Sequence, residues 1–505
     1  MMKRLIYPLS HDLLYTLLLW LLIGGPRCFL IQFLLSSWRY TAFFVFSFFV
    51  GAYFLSLFIS LCEKYLVHLR LICWLIVSLF TSVNTLLIAK YHSILSNHFF
   101  EIFLGTNLSE VREFFSSQIT AFDMLIVCLV MTSSTLGFWV YKKRPINLSG
   151  WKLSFPIIFI FLSISATIHN PAIIQDIFMD FGFSIDEVVD LKQHINKAEV
   201  VEIDSIHPHN IIVIIGESFA KRHSSLYGYE KQTNPRLSRY VESGDLVLFD
   251  SAQSPHISTT EAFRYILTDY ASLSSSDGQR KWYDCNKVPD LFMQAGYHTA
   301  WFSNQAEKGL WDNLPACYSK ICNESLFSAQ LSNSNGLDEM LLSMNPHFNV
   351  SSEQKNLLFY HLMGQHSDYD ARYPADFNFF KASDYPSLSV GQAAVLAAYD
   401  NATLYNDSIV DAIISLYQDQ ETVIFYFPDH GLDLYVSDPN FEGHARPDLA
   451  SYSEGIQIPF MVYVSPDYQS RFPGIMSKLH RYANYPFNTN RFIHLITDVS
   501  GYSYH

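Results

Sequence analysis

Basic charge is scarce in the second half of this 505-residue chain. Of 33 Lys+Arg and 47 Asp+Glu, residues 200–505 hold 19 and 35, whereas residues 1–199 hold 14 and 12. A half with nearly twice as many acids as bases lacks the basic footprint that nucleic-acid binding requires. Charge of either sign is sparse overall, at 16% of residues against 50% hydrophobic. That balance is too apolar for an ordinary soluble enzyme and too polar for a pure transporter. Internal repeats and low-complexity tracts are missing, which excludes a repeat array. Cysteine is limited to seven residues, and Cys28, Cys62, Cys73 and Cys128 lie in apolar runs, where they behave as small hydrophobes. Cys285, Cys317 and Cys322 remain. A Cys317 to Cys322 bridge would close a short loop in an oxidising compartment, leaving Cys285 over.

What is present divides the chain in two. Five runs, at 13–35, 41–61, 69–89, 121–141 and 153–168, are apolar and are expected to cross ~30 Å of hydrocarbon at 1.5 Å per residue. The first is interrupted by Gly24-Gly25-Pro26-Arg27 and lacks a small-residue cleavage site, so it does not read as a removable signal peptide. With the N-terminus inside, inner segments carry Lys3, Arg4, Lys64, Arg70, Lys142, Lys143, Arg144 and Lys152, and outer segments only Arg27, Arg39, Lys90 and Arg112. The positive-inside rule then puts the chain from Pro171 onward outside the cytoplasm. The outer loop at 91–120, with phenylalanines set among Glu101, Glu110, Arg112 and Glu113, reads as an interfacial amphipathic helix, the alternative being a packed loop. The expected domains are a transmembrane part at 1–170, a connector at 171–204 and an exported globular part at 205–505.

In the exported part, short apolar runs alternate with helical stretches: 211–215, 298–302, 357–362, 423–427 and 459–464. Continuous apolar strands imply burial on both faces, hence an α/β domain with a mostly parallel central sheet flanked by helices. Four runs end at once in polar residues: Glu217 and Ser218, Ser303 and Asn304, His366, and Asp429 with His430. Open α/β sheets bind ligands at the carboxyl ends of their strands, and a carboxylate plus an Asp-His pair is a zinc-type ligand set. A lone Glu or His at such a place is ordinarily a cap or a satisfied loop residue; four agreeing ends argue for a shared site. Between them, 255–263 reads PHISTTEAF. Ser258, Thr259 and Thr260 suit the start of a helix, a capping role compatible with catalysis.

These residues carry a family resemblance. Gly216-Glu217-Ser218, Thr259-Thr260-Glu261, Trp301 to Gln305 with Trp311-Asp312, Met363-Gly364-Gln365-His366 with Arg372-Tyr373-Pro374, Pro428-Asp429-His430-Gly431, and Gly443-His444 resemble the ordered motif set of the membrane-bound phosphoethanolamine transferases. Those are five-span inner-membrane enzymes of Gram-negative bacteria with a periplasmic domain of the sulfatase and alkaline-phosphatase type. The resemblance covers nearly the whole chain and rests on the combination of motifs.

Carried over by position, the resemblance implies that Glu217, Thr259, Asp429 and His430 ligate one zinc, a second being left open, with Thr259 as nucleophile. Thr259 is preferred to Thr260 because Glu261 and Leu267-Thr268 follow it at the family's spacing. His366 and His444 match the histidines that hold the phosphoryl group or protonate the departing oxygen. Asn304 and Lys308 match positions that contact the transferred group. Zinc would lower the pKa of a bound hydroxyl much as it does for water. The expected reaction takes phosphoethanolamine from phosphatidylethanolamine to a cell-envelope glycan, lipid A or core lipopolysaccharide foremost, through a phosphoethanolamine-threonine intermediate. A monomer is expected. Three exported cysteines permit at most one internal bridge, where the colistin-resistance branch has several, which leaves the acceptor open. The alternative is a glycerol-phosphate transferase of the lipoteichoic-acid synthase type. A true sulfatase is disfavoured by the lack of a Cys/Ser-x-Pro-x-Arg segment.

Overall fold

The structure is a computed structural model. It describes residues 7–10, 12–35, 38–62, 68–91, 119–143, 191–195, 198–272, 280–307, 314–331, 336–344, 354–444 and 449–505. Two compact units result, one of helices and one built on a sheet.

The helical unit contains α1 (Leu13–Leu35), α2 (Trp38–Cys62), α3 (Leu69–Tyr91) and α4 (Ala121–Lys143). These coincide with four of the five expected spans. The fifth, at 153–168, lies outside the described residues, as do nearly all of the 91–120 loop and most of the connector. Leu69–Lys90 and Ala121–Lys143 are long and apolar enough to cross a membrane.

Polar side chains join these helices, as they do in bundles that cannot rely on a hydrophobic drive. Thr16 Oγ1 donates to Ser56 Oγ at 3.0 Å, and Thr81 Oγ1 to the Leu22 carbonyl at 2.9 Å. At one end, the Arg70 guanidinium grips Asp12 through two 3.0 Å bonds, and the Tyr141 hydroxyl donates to the same carboxylate at 3.0 Å. At the other, Lys90 Nζ lies 3.7 Å from Asp123 Oδ2, whose carboxylate also caps α4 by accepting the Thr120 N–H. Arg70 and Lys90 are separated along α3 by about 30 Å, the thickness of a hydrocarbon core. The charges of the α3–α4 hairpin therefore sit where a bilayer would end.

The second unit is centred on a seven-stranded sheet made from β1 (Asn210–Gly216), β2 (Leu246–Leu248), β3 (His298–Ser303), β4 (Glu324–Phe327), β5 (Asn356–His361), β6 (Thr422–Pro428) and β7 (Met461–Val464). Their order is β2-β7-β6-β1-β5-β3-β4. Every residue of β1, β5 and β6 is buried. Alternation in β1 sends Ile211, Val213 and Ile215 into one apolar layer with Phe263 and Trp301, and Ile212 and Ile214 into another with Tyr399, Ala402, Ile409 and Ile413 of α6 (Val390–Tyr417); α5 is Thr259–Ile266.

The sheet is mixed, which corrects the mostly parallel sheet expected. β1 runs parallel to β5 and β6, and β3 parallel to β5 and β4, but β7 is antiparallel to both β6 and β2. Burial on both faces reports that a strand is central, not which way it runs. The 429–460 connection returns to the sheet at the end where β6 finished, Met461 pairing with Tyr426 and Val464 with Val423, so β7 must run back.

The Cys317 to Cys322 bridge also needs correction. Cys317 belongs to the short helix Leu314–Ser319, while the Cys322 thiol donates to the Tyr318 carbonyl at 3.6 Å; none of Cys285, Cys317 and Cys322 is in a disulfide. Both cysteines pack in the same apolar layer, but the Cys322 thiol is turned onto the Tyr318 carbonyl of that helix and not onto Cys317.

Candidate metal centre

Four parallel strands, β1, β3, β5 and β6, deliver the site residues from one edge of the sheet. Glu217 follows β1, and Asp429 with His430 follows β6; all three are buried, and one ligand atom from each lies within 4.8 Å of the others. His430 Nε2 is 3.3 Å from Glu217 Oε1 and 3.5 Å from Asp429 Oδ2. The His430 Nδ1–H donates to the Gly431 carbonyl at 2.8 Å, fixing the tautomer that leaves a lone pair on Nε2. Asp429 Oδ1 accepts the N–H groups of His430 at 2.7 Å and Ser218 at 3.3 Å. Asp429 Oδ2 and His430 Nε2 have no hydrogen-bond partner among the described residues.

Orphaned buried polar atoms are costly unless something fills the space between them. Burial, with Asp429 nearby, pushes the Glu217 carboxyl up to about 7, and burial pushes Asp429 up to about 6. Two carboxylates and an imidazole lone pair converging at these distances form a donor set suited to a divalent cation such as zinc.

Thr259 opens α5, and its hydroxyl donates to Glu217 Oε2 at 3.4 Å. Ser258 is the N-cap by position, yet it makes no capping bond; its hydroxyl lies 3.1 Å from His256 Nδ1. Of the three adjacent hydroxyls, the Thr259 hydroxyl is therefore the one bonded to the carboxylate of the triad.

Two further histidines belong to segments in contact with the triad residues. His444 keeps Nδ1 on the Ile257 carbonyl at 3.0 Å, and its ring centroid is 4.5 Å from that of His430. His366 is pushed down to about 3 by burial, with Arg372 and His430 adding to the effect, so its ring is neutral. Its loop is fixed to the metal-site strand: Gln365 N–H donates to the Glu217 carbonyl at 3.1 Å. Gly364 has φ +51°, and a Cβ there would come within 2.9 Å of the Glu217 nitrogen, so the close approach requires glycine.

Asn304 does not reach the triad. Its amide donates to Asp338 Oδ1 at 2.8 Å and to the Gly336 carbonyl at 3.0 Å. Its neighbour Gln305 does reach, donating to Glu217 Oε2 at 3.2 Å and to the Leu362 carbonyl at 2.9 Å. Lys308 and the Trp311-Asp312 pair lie outside the described residues. Ser218, named from sequence at the end of the first run, donates through Oγ to Glu217 Oε1 at 2.8 Å; Gln305 and Asp338, whose carboxylate also holds the Met363 and Gly364 N–H groups at 2.7 and 2.9 Å, were not chosen as site residues from sequence. Gln305 stood inside a quoted motif, one position from the residue chosen; nothing in the sequence distinguishes Asp338 from other loop aspartates.

Residues 209–502 match the sulfatase family, more than half of the chain. The chain belongs to the sulfatase family. Among curated proteins it is 28% identical over 462 residues to phosphoethanolamine transferase EptA of Helicobacter pylori, covering 86% of this chain and 83% of that one. It is 26% identical over 305 residues to EptC of Escherichia coli K12, covering 59% of this chain and about half, 52%, of that relative. Among solved structures, the integral membrane lipooligosaccharide phosphoethanolamine transferase A of Neisseria meningitidis superposes with a TM-score of 0.67 at 18% identity, over 98% of this chain and 96% of that chain. The periplasmic domain of E. coli EptC, solved in complex with zinc, gives a TM-score of 0.52 at 24% identity, over 61% and 86%. At these identities the structural likeness is one of fold.

Proposed function

We propose that the chain is a zinc-dependent phosphoethanolamine transferase that moves the group from phosphatidylethanolamine to a cell-envelope glycan, lipopolysaccharide lipid A or core foremost, through a phosphoethanolamine-threonine intermediate on Thr259. The observation that carries this reading is the Thr259 hydroxyl, 3.4 Å from Glu217 Oε2 at the edge of a buried, unsatisfied donor set. The curated relatives over most of the chain length are named phosphoethanolamine transferases, which favours this reading over the lipoteichoic-acid alternative.

Glu217, Asp429 and His430, with Thr259, would hold the zinc, as expected from the resemblance and from the zinc complex of the EptC domain. Bound there, zinc supplies positive charge that favours the deprotonated threonine oxygen and offsets charge on the phosphoryl oxygens. In the first step a bond forms between Thr259 Oγ1 and phosphorus while the phosphorus–oxygen bond to diacylglycerol breaks; the threonine proton is balanced by the one the diacylglycerol oxygen gains. In the second, an acceptor oxygen bonds to phosphorus, the Thr259 ester breaks, and the acceptor proton restores the threonine hydroxyl. His366, neutral, donates a hydrogen bond to a phosphoryl oxygen, and His444, held through Nδ1, carries the proton at Nε2. The resemblance assigns Asn304 and Lys308 to the transferred group, although the Asn304 amide is held by Asp338 and the Gly336 carbonyl; Gln305 orients Glu217.

The chain acts in the inner membrane through five spans, with its catalytic part, 205–505, in the periplasm. A lipid donor in the outer leaflet never has to leave the membrane to meet such an enzyme. Release of diacylglycerol from a fluorescent phosphatidylethanolamine tests this: Thr259→Ala should lose it to background, whereas Ser258→Ala and Thr260→Ala, having lost at most a cap worth about 1 kcal/mol, should retain much of it. Full release by Thr259→Ala would overturn the reading.

A further inference from the structure

Among the described residues, Ser218 is one of three other than glycine with a positive φ, at +53°. A residue with a side chain avoids that left-handed conformation, and where one is kept beside a functional group the surrounding structure must hold it there. Ser218 directly follows Glu217, and from this conformation it supports both carboxylates of the triad. Its Oγ donates to Glu217 Oε1 at 2.8 Å, and its N–H donates to Asp429 Oδ1 at 3.3 Å. With Oδ1 so held, Oδ2 is the Asp429 oxygen that lies 3.5 Å from His430 Nε2. The restraint on Ser218 comes from α6. The hydroxyl of Tyr399, a fully buried side chain, donates to the Ser218 carbonyl at 2.7 Å and accepts the Ala220 N–H, also at 2.7 Å. One phenol thus satisfies two backbone groups of the buried turn. The Tyr399 ring is met edge-on by Tyr369 at 5.1 Å and by His223 at 5.3 Å, and His223 is itself bonded through Nδ1 to Asp400 at 2.7 Å. The hydroxyl is therefore presented from a rigid support.

From this geometry we propose that Tyr399 is a positioning residue of the metal centre: its hydroxyl holds Ser218 in the left-handed conformation from which that one residue aligns Glu217 and Asp429 for the cation. Tyr399 acts through Ser218. Without the hydroxyl, the Ser218 carbonyl and the Ala220 N–H lose their bonds to Tyr399 while staying buried, which is costly. The turn then gains by relaxing to a negative φ, and that rotation carries the Ser218 hydroxyl and N–H away from the two carboxylates. Groups that orient metal ligands without touching the ion are worth about ten- to a hundredfold in metal affinity. The inference rests on the zinc-dependent reading above and assigns the alignment of its ligands to a residue on the neighbouring helix.

The test measures zinc affinity on the full-length protein in detergent, stripped of metal and titrated with zinc against a fluorescent chelator. Tyr399→Phe should bind zinc at least about tenfold more weakly than the wild type, and Ser218→Ala should shift in the same direction. Tyr360→Phe is the control. Its hydroxyl, on β5, bonds the Tyr417 hydroxyl at 2.7 Å in the same apolar layer as Tyr399, so that variant should melt lower without zinc yet keep the wild-type zinc affinity. A Tyr399→Phe protein that melts lower, as the control does, but binds zinc as tightly as the wild type would mean that Tyr399 only packs the core, and would overturn the proposal. Should Tyr399→Phe fail to fold, Ser218→Ala decides, since it keeps the phenol and removes only the hydroxyl on Glu217: unchanged zinc affinity there would mean that the turn aligns no ligand, and overturns the proposal. A wild type that binds no zinc would instead remove the metal reading on which it rests.

Discussion

Glu217 accepts from Ser218, Thr259 and Gln305, and His430 Nε2 lies 3.3 Å away. That concentration of partners on one carboxylate makes the site sensitive to pH in a defined direction. In the zinc-free protein the Glu217 and Asp429 carboxyls titrate at about 7 and about 6, above the ordinary range. The folded state then holds protons that the unfolded chain releases, so stability is present at low pH and is lost as pH rises from about 4 to about 7. Zinc, by occupying the space between the carboxylates, should remove that loss. Melting curves of the full-length protein with and without a chelator should therefore show a larger zinc-dependent increment at pH 8 than at pH 5.5. An equal increment at both values would contradict the assignment of these ligands. At this scale the sequence was legible for Glu217, Asp429 and His430, because each directly follows an apolar run. It was not legible at 304 and 305: the two amides turn to different partners on leaving β3, and one residue of register decides which of them reaches Glu217.

Among the elements, the loop after β5 shows how closely backbone is used. Gly364 passes the Glu217 nitrogen in a left-handed conformation that a side chain would strain. Gly364→Ala should cost about 1–3 kcal/mol from backbone strain and crowding, lowering the melting temperature by several degrees and reducing turnover by displacing Glu217. Gly391, in α6 with nothing within 4 Å of its Cβ position, provides the control: Gly391→Ala should be neutral or stabilising, by at most about 1 kcal/mol. A Gly364→Ala variant as stable and as active as the control would contradict the close approach. The central strands were readable because runs such as 211–215 and 423–427 have no polar face. The direction of β7 was not, because it depends on where a thirty-residue connection ends rather than on the strand itself. The Cys317 to Cys322 pairing failed for a related reason: spacing in sequence ignores the helix at Leu314–Ser319. In the helical unit, Arg70 with Asp12 and Lys90 with Asp123 mark both ends of the α3–α4 hairpin, a pairing that runs of hydrophobicity do not reveal.

For the whole molecule, the division read from composition, an apolar first part and an acidic second, corresponds to a helical unit and a sheet unit. The order of motifs along the chain, rather than any one of them, carried the family resemblance, and the match of residues 209–502 to the sulfatase family agrees with it. A membrane anchor, a lipid donor and a buried cation site make one account only if the group is passed through the protein itself. The central claim is thus covalent. Full-length protein incubated in detergent with phosphatidylethanolamine and no acceptor should gain the mass of one phosphoethanolamine group, and peptide mapping should place it on Thr259. An adduct on Thr260 would contradict the assignment of the nucleophile, and diacylglycerol release at undiminished rate with no adduct on any residue would contradict the two-step transfer.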